Sequence, residues 1–136
     1  MNNIHVDCVL DAKANLGEGP IWSIKDQNLY WVDINNCQLC KFNPVNGENI
    51  TINVGKPIGC FAIKKNLNII LALTNGFFEL NQNDKSMNFI NNPETNILDN
   101  RFNDGTVDLK GRFYAGTMAI IGLSLIHISE PTRQSP

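Results

Sequence analysis

The sequence predicts an all-β fold of propeller type, a series of small antiparallel sheets laid down one after another. Three observations point to it. Apolar residues come in short runs of about five, not at helical spacing, and Gly, Asn, Asp or Pro bound each run. Polar turns separate the runs. The group of small-residue entry, polar turn and apolar run then recurs: Trp31 and Leu71 are 40 residues apart, and Leu71 and Tyr114 are 43 apart. A β-repeat at that period is the signature of propeller blades, which must stack on one another because one blade cannot bury both its faces alone. A β-sandwich also consists of short strands, but its strands need not repeat as a group.

Taken in order, the first entry is Gly19-Pro20-Ile21-Trp22, followed by a turn at Lys25-Asp26-Gln27-Asn28 and a strand at Leu29–Ile34. Gln38–Phe42 makes the next strand, and Asn43-Pro44-Val45-Asn46-Gly47 the turn after it. The second group opens at Gly59-Cys60-Phe61-Ala62, turns at residues 64–68 and continues in Ile69–Leu73. Asn75-Gly76 predicts a hairpin turn into Phe77–Leu80, since both residues accept positive φ. The third group opens at Asp104-Gly105-Thr106-Val107, turns at residues 108–111 and continues in Arg112–Gly116. The asparagine-rich stretches Asn66-Leu67-Asn68 and Asn91-Asn92 are expected in loops.

Composition narrows the function. A net charge of −2 gives no basic footprint for nucleic acid or an anionic membrane, and no apolar run approaches a membrane span. The N-terminus lacks the basic and apolar regions of a secretory signal, so a cytoplasmic location is expected. Cys8, Cys37, Cys40 and Cys60 are then expected as free thiols. The lone Cys-x-x-Cys of Cys37 and Cys40 has neither the second pair a zinc site needs nor a redox context, and ordinary strand packing is expected of it.

Two places carry chemistry. In Leu16-Gly17-Glu18-Gly19-Pro20 a carboxylate stands between two glycines at a strand entry, where the backbone can turn tightly and a hard cation can be bound. In Asn100-Arg101-Phe102-Asn103-Asp104-Gly105, Arg101 offers a planar fork of donors and Asn103 both donates and accepts, a set suited to hydroxyls and a carbonyl. By residue type alone the reading of both places as solvated turns prevails.

The block Gly17-Glu18-Gly19-Pro20-Ile21-Trp22, the triplet Val32-Asp33-Ile34, and the long block Asn100–Asp108 continuing through Gly111–Met118 resemble the SMP-30/gluconolactonase/luciferin-regenerating family. The resemblance runs from about Ile4 to Met118. It implies that residues 1–122 are the N-terminal part, about half, of a six-bladed β-propeller with a divalent metal in its central channel. The metal would be calcium or zinc, with manganese or magnesium as further candidates. It implies Glu18 as a metal ligand and Arg101 and Asn103 as contacts to a sugar (aldono-) lactone substrate, all three facing one cleft on the axis. The other metal ligands, an Asn and an Asp that is also the candidate general base, are expected in later blades, so no catalytic residue is assigned within the chain and it is expected to be inactive alone. The family's acidic substrate contact after Gly-Thr-Met has no counterpart, since Ile120 and Ile121 occupy that stretch. A calcium-binding regulatory protein without essential catalysis, or a propeller serving as an interaction scaffold, are the alternatives.

The last residues read differently. Leu123–Arg133 resembles the in-frame translation of a transposon-based sequencing adapter, and Gln134 has codons that begin with the base the adapter requires next. Residues 123–136 are therefore expected to be a non-native tail, with His127 outside any chemistry and the natural sequence continuing past Gly122.

Overall fold

The computed structural model describes residues 4–120. Residues 1–3 and 121–136 lie outside the described residues, and with them the proposed tail and His127. Among the described residues the regular structure is all strand: β1 Gly17–Ser23, β2 Asn28–Asp33, β3 Gln38–Phe42, β4 Asn49–Asn53, β5 Ile58–Ile63, β6 Ile69–Leu73, β7 Gly76–Leu80, β8 Met87–Asn91, β9 Asn100–Val107 and β10 Phe113–Ala119. They form three antiparallel meanders, β1-β2-β3-β4, β5-β6-β7-β8 and β9-β10. This is a partial β-propeller: two four-stranded blades and the first two strands of a third.

The blades stack through alternating side chains. Tyr30, Val32 and Leu39 of the first sheet meet Phe61, Leu71 and Leu73 of the second in one buried cluster. The second sheet's other face sends Cys60, Ala72 and Phe77 against Phe102 and Ala115 of the third. The Phe77 and Phe102 rings lie 4.5 Å apart. Each large side chain so buried contributes roughly 1.5–3 kcal/mol. All four cysteines are free thiols; Cys40 and Cys60 are buried, and Cys37 sits in the turn ahead of β3 with φ 56°.

Two expectations are corrected. Asn91 ends β8 instead of lying in a loop. The hairpin joining β6 to β7 is present, but Leu73 pairs with Gly76, so Thr74-Asn75 is the turn and Gly76 already belongs to the strand. Gly76 is required there for a different reason. It has φ +124°, and a Cβ on it would stand 2.6 Å from the Asn91 carbonyl oxygen.

Candidate functional site

The first strand of each blade, β1, β5 and β9, faces the same space, and each is irregular at the same point of its length. In β1, Gly19-Pro20 stands opposite Trp31 alone. In β5, Gly59 is the extra residue between Ile58 and Cys60. In β9, Asn103-Asp104 stands opposite Gly116 alone. A bulge inserts one residue, bends the strand and re-aims the side chains beside it. The shift is visible in β5: Ile58 and Phe61 are three apart, yet both point into the same core cluster.

At the β1 bulge, Gly19 takes φ +60°. Glu18 just before it is exposed, and its carboxylate makes no hydrogen bond or ion pair among the described residues. It lines a cavity of about 960 Å³ walled by β1, β5 and β9, where Asp104 lines the opposite side. Asp104 Oδ1 accepts the Gly105 N–H at 2.7 Å. Burial, with the nearby Asp104 charge, pushes the Cys60 thiol up to about 12, so Cys60 is a packing residue of this wall.

The Glu18 segment is held by a residue that sequence reasoning did not assign. Asp33, 2% exposed at the end of β2, accepts the N–H of Asn15 at 2.9 Å, the N–H of Leu16 at 3.0 Å and the Asn36 amide at 2.7 Å. Burial alone would raise its pKa, but these donors outweigh burial and hold the carboxyl below its ordinary value. The signal was present as an Asp inside the apolar run Leu-Tyr-Trp-Val-Asp-Ile. Asp108 and Arg112 of the long block are likewise structural: the Arg112 guanidinium meets Asp108 at 2.6 Å across the β9–β10 turn.

Arg101 and Asn103 lie elsewhere on β9. Arg101 is half-buried, its Nη1 donates to the Phe102 carbonyl at 2.9 Å, and it makes no ion pair among the described residues. It lines a second, smaller cavity of about 240 Å³ with Glu94, Asn92 and Thr117. Asn103 is exposed in the bulge itself and lines neither cavity. Of these two cavities, Glu18 lines the larger and Arg101 the smaller. Arg101 precedes the bulge and Asp104 belongs to it, and of the two it is Asp104 that lines the larger cavity together with Glu18.

As for a metal, Glu18 supplies a hard oxygen donor suited to calcium or magnesium. Among the described residues no group of three His, Cys, Asp or Glu could hold a metal ion. The donor chemistry fits, and the ligand number does not reach the four of zinc or the six to eight of calcium.

Comparison with known proteins agrees with this architecture. The fold is that of the propeller proteins. The chain belongs to the SMP-30/Gluconolactonase/LRE-like region family, which it matches over residues 16–123. It is 37% identical to a regucalcin of Xenopus laevis over 119 residues, covering 88% of the chain and 40% of that protein. It is 35% identical to a 6-deoxy-6-sulfogluconolactonase of Pseudomonas putida over 116 residues, 85% of the chain and 40% of that protein. Among solved structures, a luciferin-regenerating enzyme superposes with a TM-score of 0.75 at 29% identity, covering 79% of this chain and 38% of that one. The chain thus spans about two fifths of the length of the relatives it matches. Two and a half blades in two fifths of the length scale to about six blades in the whole. Among the described residues no helix is long and apolar enough to cross a membrane.

Proposed function

We propose that the chain is the N-terminal part of a six-bladed, metal-dependent hydrolase of sugar lactones, acting in the cytoplasm. The observation that carries this reading is the Glu18 carboxylate, unpaired among the described residues, set between two glycines at a bulge and lining the 960 Å³ cavity between the first strands of the blades. Gluconolactonase activity among the relatives supports the reaction class. Glu18 would hold the divalent cation together with ligands from later blades. When bound, that cation supplies Lewis-acid polarisation of the lactone carbonyl. Arg101, which makes no ion pair among the described residues, donates to ring or carbonyl oxygens, and Asn103 at the bulge orients hydroxyls. The carboxylate that draws a proton from water is expected outside this chain.

A second reading is a calcium-binding protein in which hydrolysis is not the essential role. A regucalcin from Agrobacterium tumefaciens, described as a calcium-binding protein, shares the fold with a TM-score of 0.73 at 22% identity. One experiment separates the two. The full-length protein and its Glu18→Gln and Arg101→Ala variants are assayed for aldonolactone hydrolysis with calcium, zinc, manganese or magnesium, and calcium binding is measured alongside. The lactonase reading requires metal-dependent turnover that Glu18→Gln reduces at least a hundredfold. Calcium binding without turnover selects the second reading.

A further inference from the structure

The β8–β9 connection, residues 92–99, forms one wall of the 240 Å³ cavity that holds Arg101. Little of it is buried: Ile97 is 51% and Leu98 88% exposed. A segment with so few apolar contacts has no core of its own to fix it. Its attachment runs through Glu94. Glu94 Oε1 accepts the Thr117 hydroxyl at 2.7 Å, and Oε2 accepts the Asn100 amide at 3.1 Å. The Glu94 N–H donates to Asn92 Oδ1 at 3.1 Å, and its carbonyl accepts the Ile97 N–H at 2.9 Å. A further tie of the loop to the sheet is the Asp99 carbonyl, which accepts the Ile120 N–H at 2.7 Å.

The two anchors of that carboxylate bracket Arg101. Asn100 immediately precedes it on β9, and Thr117 on β10 pairs with Phe102, which immediately follows it. Glu94 makes no ion pair with Arg101, so the guanidinium is not spent on it. We infer that Glu94 is a positioning residue for the Arg101 cavity: one carboxylate fixes the loop as a wall and holds the Arg101 segment in register, setting how tightly the cavity takes its ligand. The inference rests on the reading of Arg101 as a contact to the lactone.

The test uses Glu94→Ala and Glu94→Gln. Glutamine keeps an acceptor for the Thr117 hydroxyl and can donate to Asn100 once that amide flips. In the full-length protein, Glu94→Ala raises KM for the aldonolactone about tenfold with kcat within about threefold, because alignment is lost while the reacting groups remain. Glu94→Gln stays within about threefold of the parent on both. In the 136-residue chain, Glu94→Ala speeds hydrogen exchange of amides 95–99 about tenfold. An unchanged KM in Glu94→Ala overturns the inference, even with faster exchange, because Glu94 is then only a loop staple. A full-length parent without any lactone turnover defeats the proposed function instead. The inference is then decided by peptide-mapped phenylglyoxal modification of Arg101 in the 136-residue chain: a several-fold change in rate in Glu94→Ala supports it, and an unchanged rate overturns it.

Discussion

Gly59 is the position where stability and the candidate site are most tightly joined. Its φ is ordinary, so its need for glycine is spatial and not conformational. A Cβ on Gly59 would lie 2.2 Å from the Phe102 carbonyl oxygen, 2.3 Å from the carbonyl carbon and 2.7 Å from the Phe102 Cβ. These atoms are mostly backbone, and the Phe102 ring is held against Phe77. Restoring van der Waals distance would require β5 and β9 to part by about 1 Å, in a core that tolerates overpacking at a cost of 1–3 kcal/mol and occasionally more. With backbone as the obstacle, Gly59→Ala is expected at or above the upper end, about 3 kcal/mol. At a urea slope of about 1.5–3 kcal/mol per molar that lowers the midpoint by about 1–2 M. The assay is urea unfolding of the full-length protein. Gly47→Ala is the control: Gly47 has φ +75° with nothing within 4 Å, so only left-handed strain of about 1 kcal/mol applies. Because Phe102 lies between Arg101 and Asn103, Gly59→Ala should also lower kcat/KM more than Gly47→Ala. A Gly59→Ala variant within about 0.5 kcal/mol of the parent would refute the reasoning, since it would mean the two strands do not approach as closely as described.

Three further outcomes are expected. Asp26 meets Lys41 Nζ at 2.8 Å and the Tyr30 hydroxyl at 2.7 Å; burial raises its pKa, but these partners overcome that and hold it at about 2. Its depressed pKa means its stabilisation, about 1–2 kcal/mol after solvent screening, is complete above pH 4 and is lost as pH falls through 2, so Asp26→Asn should lower the urea midpoint at pH 7 and shrink the loss between pH 4 and pH 2. Lys85 has φ 62° at the turn position that Gly47 fills in the preceding blade with φ 75°, so Lys85→Gly should stabilise by about 0.5–1 kcal/mol, read as a raised Tm. The 136-residue chain alone should show no lactone turnover and should sediment as more than a monomer, because the outer edge of β10 carries no strand among the described residues and invites pairing; turnover comparable to the full-length protein would place the catalytic groups within this chain.

The parts of the fold legible in the sequence were those with a buried face. Residues 38–42 and 69–73 read directly as strands because both are largely buried. The outermost strands β4, Asn-Ile-Thr-Ile-Asn, and β8, Met-Asn-Phe-Ile-Asn, were not legible. They sit at the blade rims, mostly exposed, so burial imposes little pattern on them. The asparagines also had a meaning that sequence alone hid. In the β3–β4 turn, Asn43 Oδ1 accepts the Val45 N–H and Asn46 Oδ1 the Glu48 N–H. In the β7–β8 turn, Asn81 and Asp84 do the same for Asn83 and Ser86. The two turns share one hydrogen-bond pattern, with short side chains supplying acceptors that the turning backbone lacks.

The candidate site was legible for a different reason, and the bulges explain it. All three first strands carry an extra residue at the same point, so the backbone there is a property of the repeat and not of a function. What differs is the chemistry placed on it. The second blade uses the position for packing: Ile58 enters the core and Gly59 lets β9 approach. The first blade places Glu18 beside its bulge and the third places Asn103 and Asp104 within its own, polar groups that packing does not require. Against a packed second copy, two polar copies are departures from the repeat, and such departures are where local rules yield to function. Residue type could flag Glu18 and Asn103 in this way. It could not show that Asp104 lines the cavity that Glu18 lines, because that depends on which residue of β9 is the inserted one. An Asp104→Asn variant separates the two contributions: if Asp104 shares the Glu18 cavity's charge, metal affinity should fall several-fold while KM for the lactone changes little, and an unchanged metal affinity would assign Asp104 to the turn alone.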